Sequence, residues 1–424
     1  MKTHLKKRAW LALDTNARMY PPLLGGGSPT CFRISCILKE PVKPAFLKEA
    51  VDCITPGFPY FQHSLGKGFF WYYLQETSLK PLVIRDTGHV CRDFHRSMSE
   101  KLLLRILYGE HRISVECSHI LTDGYGAMEY LKYLLERYLI CAGLISKPFF
   151  SPPDFSESEY LEDSYRTFFR DDIPQAERPG KTYLSSASQL PNRQLRLICG
   201  EIDANSLKKQ CTDSGVTITQ YLGAAYLWSL YCQSRTEHTR PVPNVRIMVP
   251  VDLRRLYKSK TLRNFFVPVT CEILPFLGDY TFEEVLEEIR LQMTREVKPR
   301  FINLQIARNV SIINNIAVRL IPLALKDIIL RYYYFHKGIQ TVSGILSNLG
   351  RVQLPPEIEE HVDNWELLTS PNRILKTTLG VIGCKDRVIA TFCNTTADTS
   401  IEREFFTILS KNKIRTKVYT NYQT

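Results

Sequence analysis

The amino-acid sequence predicts a layered α/β protein, and three observations carry that prediction. Apolar residues recurring with period two alternate along the chain with segments of helical spacing, the pattern of sheets covered by helices. One strand, residues 112–118, runs through a histidine and an Asp-Gly turn straight into a helix. The chain of 424 residues is 44% hydrophobic, enough to bury large cores and to build two domains of ordinary size.

Taken in order, Gly25, Gly26 and Gly27 form a flexible approach to a strand over 31–38. There Phe32, Ile34, Cys36 and Leu38 occupy one face and Arg33, Ser35 and Ile37 the other. Pro44 starts a helix reaching about residue 53, with Phe46, Leu47 and Ala50 on a shared face. Residues 69–74 read as a buried strand, and residues 102–108 as another, joined through Gly109 and Glu110 in a hairpin with 112–118. In this last strand Ile113, Val115 and Cys117 alternate with Arg112, Ser114, Glu116 and Ser118, which places His119 at a strand end. Asp123 and Gly124 then make a turn, and Met128, Leu131, Leu135 and Tyr138 recur at helical spacing to about Cys141.

From residue 151 the sequence becomes polar, with Pro152, Pro153, Pro174, Pro179 and Pro191 and an acidic run over 154–172. We expect a crossover here and divide the chain into an N-terminal half, 1–170, a linker, 171–193, and a C-terminal half, 194–424. The second half is expected to hold strands at 195–202, 245–251, 267–274 and 414–419. Its helices are expected at 204–214, at 218–232 behind Thr217 as N-cap, and at 281–297. A hairpin of 375–384 with 387–394 turns through Lys385 and Asp386, and a helix follows with Ile401, Phe405, Ile408 and Leu409 on one face.

Composition excludes several classes. The twelve cysteines occur singly, without Cys-x-x-Cys pairs or histidines at ligand spacing, which argues for reduced thiols in the cytoplasm and against a metal site. The basic N-terminus has no apolar core or cleavage site, so no export is expected. The net charge of +12 is accompanied by no nucleic-acid-binding motif. Instead, residues 298–351 hold eight Lys and Arg against one acid, Asp327, a local excess suited to an anionic small molecule. Residues 309–337 are rich in Ile, Leu and Tyr, yet Arg319, Pro322, Lys326 and Asp327 interrupt any run of the ~18 apolar residues a spanning helix needs. A pair of helices broken at Pro322 is expected, packed on the core, with lipid contact as the second reading.

The chemistry concentrates at His119. A strand end holds an imidazole rigidly while the following loop leaves room for a reacting hydroxyl or amine, and its ordinary pKa of about 6.5 suits proton exchange near neutrality. Asp123 can bond the loop backbone, cap the helix, or pair with a cation. Ser118-His-Ile-Leu-Thr-Asp123-Gly124 resembles the His-His-x-x-x-Asp-Gly signature of the condensation-domain and chloramphenicol-acetyltransferase-like superfamily, most closely its alcohol O-acetyltransferase-like branch. Further matches follow in order: Leu13 to Pro21, Phe58-Pro-Tyr-Phe61, Gly68-Phe-Phe-Trp71, Pro250-Val-Asp-Leu-Arg254-Arg255, Arg263-Asn264-Phe-Phe266 and Ser347-Asn348-Leu-Gly350. The one departure is Ser118, where the signature has its first histidine.

The resemblance implies two chloramphenicol-acetyltransferase-like halves, each a mixed sheet with helices, around a tunnel for an acyl-CoA co-substrate and an alcohol or amine acceptor. It implies that His119 acts as general base, without acyl-enzyme, metal or permanent cofactor. Alternatives are a donor carried on an acyl carrier protein, which bears on the same thioester chemistry, and an inactive binding protein, to which Ser118 is the one pointer. A monomer is expected. Ser347, Asn348 and Asn264, short polar side chains beside apparent strands, are candidates to line the channel or to donate to the thioester oxygen. Asp123 beside Gly124 is expected to turn from His119 and pair with Arg254, because a carboxylate against the imidazole would crowd the acceptor. His95 and His111 are read as ordinary surface histidines.

Overall fold

The computed structural model describes residues 10–25, 30–92, 94, 101–155, 158–177, 180–191, 194–237 and 243–421. Gly26, Gly27, His95 and Pro179 lie outside the described residues.

Two large mixed sheets organise the chain. The first holds five strands in the order Val362–Thr369, Cys31–Leu38, Arg112–Ser118, Leu104–Tyr108, Val83–Arg85. Helices Pro44–Ile54 and Gly124–Cys141 pack on it through Leu47, Val51, Leu131 and Leu135, all buried. The second sheet holds seven strands in the order Phe266–Ile273, Val245–Asp252, Gly344–Arg351, Thr377–Cys384, Arg387–Asn394, Arg196–Asp203, Thr416–Thr420. Its core forms against helices Ile218–Glu237, Phe282–Glu296 and Ser400–Lys411. A small sheet, Trp10–Ala12, Tyr72–Glu76 and His63–Lys67, completes the described strands.

Most local expectations match these elements. The helix over 281–297 is Phe282–Glu296, started by a full capping box between Thr281 and Glu284. Thr217 caps Ile218–Glu237, its Oγ1 accepting from the Gln220 N–H at 3.2 Å. The strand Val362–Thr369 has no counterpart in the sequence reading. It comes from the C-terminal part of the chain yet pairs antiparallel with Cys31–Leu38 in the first sheet. The two sheets touch beside it, since a Cβ at Gly380 would lie 2.1 Å from the Leu367 carbonyl oxygen.

Three expectations are corrected. The alternation over 112–118 is that of a half-buried strand, yet its polar face is buried, as is that of 31–38, because both strands are central and covered on either side. Arg33 and Glu116 are each 0% exposed and pair at 2.7 Å, and the Ser35 and Ser114 hydroxyls bond at 2.8 Å. Residues 69–74 are not one buried strand: the strand starts at Tyr72, and Phe69 and Phe70 project at a turn. Within 309–337, Val310, Ile313 and Leu323 are buried, but the apolar faces of the two later helices do not pack on the core. Helices Ile316–Leu320 and Leu323–Tyr333 break at Pro322 as expected, but Ile316, Leu320, Leu325 and Ile328 face outward. No described helix is long and apolar enough to cross a membrane.

Candidate active site

His119 follows the last residue of strand Arg112–Ser118, and its N–H donates to the Thr30 carbonyl at 2.8 Å. The residue before it, Ser118, is buried and uses its Oγ to accept from the Ile120 N–H at 3.2 Å, tightening the turn. The imidazole is walled by aromatic rings. Tyr20 stacks on it at 5.3 Å, Phe32 lies at 4.6 Å and Phe266 at 5.9 Å between ring centroids. Burial in this surround lowers the His119 pKa below the ordinary histidine value, against the opposing pull of Asp123 and the Asn264 hydrogen bond, so the neutral imidazole is favoured.

Asn264 orients the ring. Its amide nitrogen donates to Asp14 Oδ2 at 3.0 Å and to the His119 carbonyl at 2.8 Å, which turns its Oδ1 toward His119 Nδ1 at 3.4 Å. That arrangement favours a proton on Nδ1 and leaves the lone pair on Nε2. Both amide hydrogens are thereby committed, so Asn264 does not have one for a thioester oxygen. Asp14 is held in turn by the Ala17 N–H at 2.7 Å and faces Arg263 at 3.7 Å. Burial raises its pKa to about 6 although Arg263 pulls it down. Asp14, Tyr20 and Phe266 lie in stretches that the resemblance matches, Leu13 to Pro21 and Arg263 to Phe266, without a role at the site being assigned to them, and Phe32 is read only as a strand residue. They lie far from His119 along the chain, and no local spacing connects them to it.

Asp123 sits at the start of helix Gly124–Cys141 and caps it, Oδ1 accepting from the Gly126 N–H at 3.2 Å. The same carboxylate takes Arg254 Nη2 at 3.1 and 2.8 Å and the Phe265 N–H at 2.9 Å. Arg254 is almost fully buried and also donates to the Thr261 carbonyl at 2.8 Å and to Asp252 at 2.6 Å. The capping and cation-pairing roles left open for Asp123 thus coexist. Gly124 approaches Leu349, and a Cβ there would lie 2.5 Å from its Cδ2.

These residues surround a cavity of about 1040 Å³ between the two large sheets, lined by His119, Gly124, Phe266, Ser347 and Asn348 among others. Ser347 and Asn348 lie on strand Gly344–Arg351. The Asn348 amide donates to Thr219 Oγ1 at 2.9 Å and its Oδ1 accepts from the Gly350 N–H at 2.8 Å, so this side chain ties the strand to the first turn of helix Ile218–Glu237. Lys132, Arg255, Arg308 and Arg351 line the same cavity. Among the described residues no group of three His, Cys, Asp or Glu is placed to hold a metal ion.

No protein-family model matches the sequence, and no curated protein matches it. Solved structures do. F. graminearum TRI101 complexed with coenzyme A and deoxynivalenol aligns with a TM-score of 0.65 at 11% identity, over 97% of this chain and 99% of that one. Polyketide synthase associated protein 5 from Mycobacterium tuberculosis aligns at 0.57 and 12% identity, over 92% and 95%. The first condensation domain of the CDA synthetase aligns at 0.56 and 13% identity, over 96% of each chain. At these identities the likeness establishes a shared fold.

Proposed function

We propose, from a fold shared with the condensation-domain and chloramphenicol-acetyltransferase-like superfamily, that this protein transfers an acetyl or other acyl group from coenzyme A to an alcohol or amine acceptor. The observation that carries the reading is a neutral, tautomer-selected His119 opening on a cavity large enough for both substrates.

In this reading Nε2 of His119 takes the proton of the acceptor hydroxyl as its oxygen bonds to the thioester carbonyl carbon. The carbonyl electrons move to oxygen, and the Ser347 hydroxyl on the cavity wall donates to that oxyanion. Collapse breaks the C–S bond, and the proton held on Nε2 passes to the leaving thiolate. Asp123 and Arg254 act by holding the loop, and through Phe265 they hold the neighbouring Asn264 against the imidazole. Lys132, Arg255, Arg308 and Arg351 supply positive charge at the cavity wall for the phosphates of coenzyme A.

Thiol release from acetyl-CoA, followed with and without a panel of alcohols and amines, tests the reading. Acceptor-dependent release with ester or amide formed in equal amount supports it. Release only from a loaded carrier protein replaces the donor, and no transfer from either donor overturns the enzyme.

A further inference from the structure

The helix Leu323–Tyr333 is inside out. Its inward face carries Leu323, Lys326 and Asp327, which are 4%, 2% and 6% exposed. Its outward stripe, Leu325, Ile328, Ile329 and Tyr332, follows i, i+3, i+4, i+7 spacing and is 51%, 67%, 45% and 61% exposed. Specific bonds hold this orientation. Lys326 Nζ donates to the Phe70 carbonyl at 2.9 Å and lies 3.4 Å from the centre of the Trp71 ring, whose ring also carries the Arg18 guanidinium at 4.5 Å. Asp327 Oδ2 accepts from the Tyr72 hydroxyl at 2.7 Å.

Neighbouring elements extend the apolar face. Helix Ile316–Leu320 adds Ile316 and Leu320, and the Leu323 N–H donates to the carbonyl of Phe69, which is itself 72% exposed. A surface of this kind on two adjoining helices marks an interaction site, in contrast to single exposed apolar residues. Its charge is one-sided. The only acid in 309–337 is the buried Asp327, whereas Arg319 and Lys337 are exposed.

We propose that this face docks on an anionic lipid bilayer, with the aliphatic side chains in the boundary between headgroups and acyl chains and the cations against the phosphates. Charge argues against a second copy as occupant, since a two-fold contact of this face with itself would gather Arg319 and Lys337 of both copies with no exposed acid from 309–337 among them. The chain leaves the docked helix through Tyr334, Gly338 and Ile339, which line the cavity holding His119, so the cavity wall adjoins the lipid surface. Docking itself does not depend on the acyl-transfer reading.

Co-sedimentation of the full chain with vesicles tests this without any turnover assay. Vesicles of phosphatidylcholine with about one third phosphatidylserine should bind the protein at least ~10-fold more tightly than phosphatidylcholine alone. Removing two aliphatic anchors, Leu320→Asp with Ile328→Asp, should weaken that binding by ~10-fold or more. The milder Tyr332→Ser should weaken it partly, and Leu291→Asp, an exposed site on helix Phe282–Glu296, should leave it unchanged. Thermal melting of each variant reports folding separately. Equal binding to both vesicle types, no binding to either, or binding indifferent to both the anchor pair and Tyr332→Ser overturns the proposal. So does vesicle-free dimerisation that Ile328→Asp abolishes, which would make the face a contact between copies.

Discussion

Replacing Asp123 by Asn separates a scaffold role from a substrate role at the candidate site. The asparagine oxygen can still cap the helix at Gly126, but its amide then replaces Oδ2 and faces both the Arg254 guanidinium and the Phe265 N–H, which are donors. Arg254 and Asp123 have side chains 4% and 6% exposed, so a partner is removed from a buried pair. Breaking such a pair costs ~3–5 kcal/mol. Arg254 retains Asp252 at 2.6 Å, a carboxylate 43% exposed, which places the expected loss near the lower end, about 3 kcal/mol. Melting temperature should fall by several degrees, and turnover should fall with it because Phe265 adjoins the Asn264 that orients His119. Thermal melting and acetyl-CoA turnover on the same preparation measure both. A variant as stable as the parent but with changed substrate affinity would refute the reasoning and put Asp123 in contact with substrate.

His119→Ala should lower acyl transfer by ~10²–10⁴ with the melting temperature preserved, and near-normal transfer would remove His119 as the base. The acid limb of kcat/KM should fall below the ordinary histidine value of about 6.5, since burial lowers the His119 pKa. An inflection at or above that value would contradict the aromatic enclosure. The sign for stability follows: unfolded His119 protonates more readily than folded, so acidification through about 6.5 favours unfolding. Gly126→Ala should destabilise by ~1–3 kcal/mol in chemical denaturation, because its Cβ would meet the backbone oxygen of Leu262 at 2.5 Å. Gly124→Ala should cost less, since the movable end of the Leu349 side chain is what it meets, and a reversed order would show that the helix start is not fixed by Leu262.

What the sequence determined by itself are features written in neighbouring residues. The strand Arg112–Ser118, the turn at Asp123 and the helix to Cys141 are a local alternation passing into a local helical period, and the capping box from Thr281 to Glu284 spans four residues. The order of short motifs sufficed for the layered fold class, because hydrophobic periodicity decides which elements form. Apart from the Asp123–Arg254 pair, which side chains meet at the site was settled by long-range packing. Asn264 reaches His119 across 145 positions and Asp14 across 250, and either could have been a loop tie on any local reading. Arg33 and Glu116 look like a solvent face until both of their strands become central. The same cause inverts helix Leu323–Tyr333: its period shows two faces, but which face turns inward depends on Trp71 and Tyr72, more than 250 residues away, giving Lys326 and Asp327 better partners than water does.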